Sequence, residues 1–252
     1  MTTTLFIGQS IINLESVDST NSYAAKEIER TKPAEGTVIR TLFQAKGRGY
    51  GSNQWQSEEG KNLLLSVILY PSFLAPKNQF FLNQIAALGI ADTIALMVDK
   101  DKVKIKWPND VFITDKKVAG ILIENSVQGN SIQHSIVGMG ININQNTFDS
   151  ALIRATSVLI ESGKENDVDA VMKNLFANLE ARYLQLKQLR LEMIEKDYMS
   201  KLYKVDEMTW FQSSGKKFKG KIAGLTADGK LLIEKNGIHE VFGFKEVEMV
   251  FD

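Results

Sequence analysis

The chain has 252 residues, 44% of them hydrophobic, enough for one substantial domain and a small one built around a sizeable core. Thirty basic residues balance thirty acidic ones, which argues against nucleic acid as the main partner but leaves room for a local basic site. The absence of cysteine excludes disulfides, a thiol nucleophile and thiolate-bound zinc, and the two histidines, His134 and His239, lie too far apart to suggest a metal cage or a serine–histidine–aspartate triad.

The opening MTTTLFIGQS lacks a basic segment followed by a long apolar stretch, and no apolar run approaches the roughly 20 residues that span a bilayer. The expectation is a soluble, cytoplasmic protein with no signal peptide and no membrane partner. SVDSTNSYAAKEIERTK reads as a capped loop followed by a helix built on Tyr23, Ala24 and Ile28. GTVIRTLFQA is a strand with a glycine-rich loop at its end. NLLLSVILY is an apolar run of strand length, as in a strand covered on both faces. Residues 81, 85, 88, 91, 95 and 98 repeat at helical spacing.

KVKIKW and KKVAGILIE follow as two strands joined by the turn PNDVFITD, and HSIVGMGININ is a third strand. From Asp167 to about Tyr203, apolar spacing describes one or two long helices. The tail changes character: short β runs are punctuated by SSGK, ADGK and KNGI, and Asp-Gly or Asn-Gly between β runs is a strong hairpin signal. The fold class is therefore α/β (α+β): a mixed domain over 1–202, then a small β-barrel over 203–252.

Four stretches carry possible chemistry. In FQAKGRGYGSNQW the segment Gly47-Arg48-Gly49-Tyr50-Gly51 is neither a P-loop nor a dinucleotide fingerprint. It is either a mobile turn with a solvated arginine, or a guanidinium fork held on a carboxylate or phosphate. Trp55 is either a core anchor or a stacking surface for a flat ring. In KIKWPND, Pro108 ends the ladder, and Lys106 and Asp110 either mark an ordinary strand exit or point into a cleft at the strand end. In KKVAGILIE, Lys117 is an edge charge or a ligand cation, and Gly120 weakens the strand interior as at a bulge or a close approach. Asn142, after Gly138 and Gly140, is a turn residue or an amide able to read an adenine edge.

Taken in order, DSTN (18–21), QAKGRG (44–49), KWPND (106–110), KKVAGILIE (116–124) and VGMGININ (137–144) resemble the biotin protein ligases, also called biotin–[acetyl-CoA-carboxylase] ligases. The resemblance covers nearly all of the first domain. It implies a catalytic domain of the class II aminoacyl-tRNA synthetase type with an SH3-like β-barrel after it. It also implies two reactions: biotin and ATP give biotinyl-5′-AMP and pyrophosphate, and a lysine of a biotin carboxyl carrier protein then takes the biotinyl group.

Carried over by position, Arg48, Lys117 and Asp110 would be catalytic. Arg48 and Lys117 would neutralise the carboxylate and the α-phosphate, and Asp110 would accept or relay the amine proton. Biotin would lie against Ser19, Thr20, Asn21, Gln44, Gly47, Arg48, Lys117 and Gly120. ATP or its adenylate would lie against Arg48, Gly49, Trp55, Lys106, Asn109, Lys117 and Asn142, with Mg²⁺ at the phosphates, and loop 46–54 would close over the adenylate. Two departures stand out. Tyr50 and Asn53 replace arginines that many members carry, so the adenylate is held less tightly or Tyr50 and Lys46 compensate. The N-terminal DNA-binding domain that some relatives carry has no counterpart in the short segment before STN, so no nucleic-acid role is expected. Members occur as homodimers and monomers. The rival readings are a lipoate or octanoyl transferase of related fold and a non-catalytic module that only binds biotin or nucleotide.

Overall fold

A computed structural model describes residues 4–51 and 53–251. Ser52, within the glycine-rich loop, and residues 1–3 and 252 lie outside the described residues. The first part of the chain runs β1 (Ile11–Val17), α1 (Thr20–Thr31), β2 (Val38–Gln44), β3 (Leu63–Leu69), α2 (Phe80–Ile94), β4 (Val103–Lys106), β5 (Asp110–Ile113), β6 (Lys116–Gln128) and β7 (Ser131–Ile141). Three helices follow: α3 (Val158–Ser162), α4 (Val168–Lys187) and α5 (Leu191–Lys201). The tail consists of β8 (Met208–Ser213), β9 (Lys216–Leu225), β10 (Leu231–Lys235), β11 (Ile238–Phe242) and β12 (Glu248–Met249).

Strands β1 to β7 form one mixed sheet in the order β1-β2-β3-β7-β6-β5-β4. Only β1 and β2 run parallel, joined by the α1 crossover; every other pair is antiparallel. The central strand β3 is buried at all seven positions, because both of its faces are covered. Its alternation sorts residues by face: Leu63, Leu65, Val67 and Leu69 join the main core under α2, α4 and α5, while Ile68 packs with Ala24, Ile39 and Ile136 beneath α1. Burying each such side chain contributes about 1.5–3 kcal/mol. Glu180 of α4 adds a polar anchor for the N-terminal segment. Its carboxylate accepts from the backbone N–H groups of Leu5 at 2.6 Å, and of Phe6 and Ile7 at 2.8 Å.

Three local features depart from the sequence reading. PNDVFITD was expected to be a turn, but only its two ends turn, and Val111, Phe112 and Ile113 between them are buried within β5 as the partner of β4. β1 was not expected; it is a half-exposed edge strand whose apolar residues Ile11, Ile12, Leu14 and Val17 do not keep a two-residue alternation. Helix α2 is buried nearly all round instead of along one stripe, being enclosed by the sheet, α4 and α5.

The tail forms the second β unit that the hairpin signals lead one to expect: a five-stranded antiparallel sheet in the order β11-β10-β9-β8-β12, with β11 and β12 as its edges where closure into a small β-barrel was expected. Ser214-Gly215 and Asn236-Gly237 take positive φ at both turn residues, as two-residue hairpins require. This sheet packs onto the first: Phe211, Ile222, Leu231, Ile233, Phe242 and Val247 share its core, and Trp107 Nε1 donates to the Gly229 carbonyl at 2.9 Å. The second sheet thereby walls the open end of the first. Among the described residues no helix is long and apolar enough to cross a membrane.

Candidate active site

A cleft of about 390 Å³ opens where the start of α1, the end of β2, the glycine-rich loop, the turn after β4 and the inner positions of β6 and β7 meet the C-terminal sheet. Twelve expected residues line it: Ser19, Thr20, Asn21, Gln44, Arg48, Gly49, Trp55, Lys106, Asn109, Asp110, Lys117 and Gly120. They are 101 positions apart at the extremes, from Ser19 to Gly120, and the sheet order brings them to one place.

One end of the cleft is a polar network under the start of α1. The Gln44 side-chain oxygen accepts from the Thr20 backbone N–H at 2.8 Å. Ser66, fully buried in β3, lies 2.7 Å from both Thr20 Oγ1 and Asn21 Oδ1. An amide oxygen only accepts, so the Ser66 proton goes to Asn21. Asn21 Nδ2 then donates to the Leu122 carbonyl at 3.1 Å and to Glu124 at 2.8 Å. Gly138 leaves the space for this, since a Cβ there would come within 2.9 Å of Asn21 Cγ. Sequence reading missed Ser66, although one hydroxyl inside the apolar run LLLSVIL was a legible signal.

The cations come next. Arg48 lies in a two-stranded loop, bridged to Gln54 and closed by Trp55 N–H donating to the Gly47 carbonyl at 2.9 Å. Its guanidinium forks onto Glu124, donating at 2.8 and 3.2 Å. The arginine therefore already grips a carboxylate, which belongs to the protein itself. Both side chains are well exposed, so the pair contributes no more than about 1 kcal/mol and is readily exchanged. Across the cleft Lys117 Nζ lies 2.7 Å from Asp110 Oδ1 and 5.6 Å from the centre of the Trp55 ring. Lys106 stands 5.9 Å from the ring centres of both Phe112 and Phe251. Burial holds its ammonium below the ordinary lysine range; Lys117 adds to this, while Asp110 and Glu248 oppose it.

Trp55 lies on a floor made by the paired glycines Gly120 and Gly140. A Cβ at 140 would meet the indole Nε1 at 2.7 Å, and one at 120 would meet Cζ3 at 2.9 Å. The space at Gly120 thus holds the indole, where a direct approach of biotin was expected. The indole Nε1 is buried with no hydrogen-bond partner among the described residues. Asn109 is spent on local architecture, donating to the Ile121 carbonyl at 2.7 Å.

Two expected residues stand outside the cleft lining. Gly47 carries the backbone crossing of Trp55, whose carbonyl would collide with any Cβ there. Asn142 is buried behind the wall and donates to the Thr156 carbonyl at 2.9 Å, because its strand has turned away toward α3. Lys46 pairs with Asp18 at 3.0 Å on the exposed side and adds no charge to the cleft. Lys245, Glu248 and Phe251 of the tail do line it, which only the packing of the two sheets reveals.

Over residues 14–142 the chain matches the Biotin/lipoate A/B protein ligase family. It belongs to that family. The matched span contains every expected site residue from Ser19 to Asn142, and the cleft residues of the tail lie beyond it. The chain is 30% identical to the bifunctional ligase/repressor BirA of Bacillus subtilis over 94% of its own length and 73% of that protein. It is 35% identical to a biotin–[acetyl-CoA-carboxylase] ligase of Paracoccus denitrificans over 52% of its length and 53% of that protein. A biotin protein ligase from Aquifex aeolicus, solved in complex with biotin and ATP, superimposes with a TM-score of 0.81 at 26% identity, covering 97% of this chain and all of that one.

Among the described residues no three His, Cys, Asp or Glu side chains stand together as metal ligands, and Asp110, one of the acids lining the cleft, is engaged by Lys117. A protein-built Mg²⁺ cage does not fit this donor set.

Proposed function

We propose that this chain is a biotin protein ligase: it joins biotin to AMP at the expense of ATP, then passes the biotinyl group to a lysine of a biotin carboxyl carrier protein. The observation that carries the reading is the convergence of two guanidinium and ammonium cations, Arg48 and Lys117, on one cleft with a polar network at its end and an indole between. Two anions must meet for an acyl adenylate to form, and fixed cations in a partly dry site offset their repulsion.

In the first step a carboxylate oxygen of biotin attacks the α-phosphorus, and the bond to the bridging oxygen of pyrophosphate breaks. Arg48 exchanges the Glu124 carboxylate for that of biotin, and Lys117 turns from Asp110 to the α-phosphate. Thr20, Asn21 and Gln44, fixed by Ser66, set the hydrogen-bonding end for the ureido ring, with Ser19 beside them. Trp55 presents its outer face to adenine, and Lys106 adds charge near the phosphates. Mg²⁺ enters as the ion of the nucleotide substrate. In the second step the carrier lysine attacks the acyl carbon and AMP leaves. Asp110 Oδ2 has no hydrogen-bond partner among the described residues and accepts the amine proton. Residues 1–202 form the catalytic unit and 203–252 the C-terminal one.

The lipoate alternative is less well supported, since the similar ligases above bear biotin names and the KWPND and GRG stretches belong to the biotin branch of the resemblance. Labelled biotin or lipoate, ATP and a carrier domain with or without its target lysine decide the matter. Label on the intact carrier from biotin alone supports the reading. Preference for lipoate, or no pyrophosphate from either acid, overturns it.

A further inference from the structure

The turn Gly243–Glu246, between β11 and β12, reaches back to the tip of the glycine-rich loop. The Tyr50 ring meets Phe244 edge-on, with centroids 6.1 Å apart and planes at 88°. Lys245 Nζ stands 5.3 Å from the centre of the same tyrosine ring, and among the described residues it has no acidic partner. Gly51 sits beneath the lysine at φ +68°, where a Cβ would lie 2.8 Å from Lys245 Cε. The turn is itself braced. Gly243 N–H donates to the Glu246 carboxylate at 2.6 Å, and Phe244 packs on Trp107 and Phe80 with centroids 5.2 and 5.7 Å away. A line of rings thus runs from the loop tip into the core beside the KWPND turn.

Simple surface packing does not account for this arrangement. Tyr50 and Phe244 are each more than a third exposed, so little burial is gained, and the loop has no charged residue at 50, 51 or 53. The ring is instead held from two sides by an aromatic edge and a cation, contacts that fix orientation. Because Gly49 N–H donates to the Asn53 carbonyl at 2.8 Å and Arg48 is bridged to Gln54, holding the tip holds Arg48.

We propose that Phe244 and Lys245 of the C-terminal sheet are positioning residues for the glycine-rich loop: they grip Tyr50 and so keep Arg48 and Gly49 against the cleft while the acyl adenylate is present. What is retained there rests on the ligase reading; the grip itself does not. Tyr50→Ala and Phe244→Ala each speed release of preformed adenylate about tenfold, and the double variant releases no faster than either single one. Tyr50→Phe, which keeps the ring, behaves like the parent, and Lys245→Met gives a smaller, several-fold increase.

In the ligand-free full chain, tryptic cleavage after Arg48 accelerates in Tyr50→Ala and Phe244→Ala but not in Tyr50→Phe. Unchanged release and cleavage in Tyr50→Ala, equal loss in Tyr50→Phe, or fully additive single variants would overturn the proposal. Should no adenylate form at all, the ligase reading fails and the cleavage rates still decide the grip.

Discussion

Replacing Gly140 by alanine asks whether the indole of Trp55 belongs on the glycine floor. A Cβ at this position would stand 2.7 Å from Nε1 and 2.8 Å from Cδ2, atoms of a fused ring that moves only as a whole. Gly140 has no positive φ, so alanine brings no backbone strain and the effect is purely one of space. Forcing a methyl under a seated ring costs roughly 1–3 kcal/mol. Should the indole swing out, it forfeits the Lys117 contact at 5.6 Å, about 0.5–2 kcal/mol. At about 1.4 kcal/mol per tenfold, kcat/KM for ATP falls roughly 5- to 150-fold. The assay is pyrophosphate release at saturating biotin with ATP varied. Adding Trp55→Leu to Gly140→Ala restores thermal stability, because the smaller side chain vacates the clash, but not kcat/KM. ATP kinetics unchanged in Gly140→Ala would refute the placement of Trp55 as the nucleotide-facing surface.

Further expectations follow from the network, the N-terminal anchor and the buried lysine. Ser66→Ala strands Asn21 Oδ1 and raises KM for biotin with kcat for ATP use little changed; a stability cost of about 1–3 kcal/mol accompanies it, measured by urea unfolding. Glu180→Ala leaves three N–H groups without their carboxylate and lowers the thermal midpoint by roughly 6–12 °C, from about 3 kcal/mol at ~2–4 °C per kcal/mol; an unchanged midpoint in calorimetry would show the anchor to be idle. Lys106 binds its proton more weakly in the folded chain than in the unfolded one, so its contribution to stability rises with pH up to about 10.4. Over the same window the cleft loses a cation, so KM for ATP climbs below the ordinary lysine range, and Lys106→Arg moves that alkaline limb upward.

Much of this site was legible in the sequence because its parts sit at the ends of strands that periodicity marks plainly. KVKIKW and KKVAGILIE alternate, and HSIVGMGININ reads as a strand; Lys106, Lys117 and Gly120 fall near the ends and centres of the first two, and Asp110 in the PNDVFITD stretch between them. Glu124 lies within KKVAGILIE, but nothing local shows that Arg48 will fork onto it across 76 positions. Asn142 kept its fold-level place but not its expected exposure, because the chain after β7 dives to hydrogen-bond Thr156 and Val158. The contribution of the tail was illegible. Lys245 and Phe251 reach the cleft through sheet-on-sheet packing, which no short-range pattern encodes.

The most direct test of the central claim is exchange of labelled pyrophosphate into ATP by the intact chain. The account predicts exchange that requires biotin, ignores lipoate, and drops by about 10²–10³ in Arg48→Ala and in Lys117→Ala. Exchange that proceeds without biotin, or that survives both substitutions at the parental rate, would contradict it.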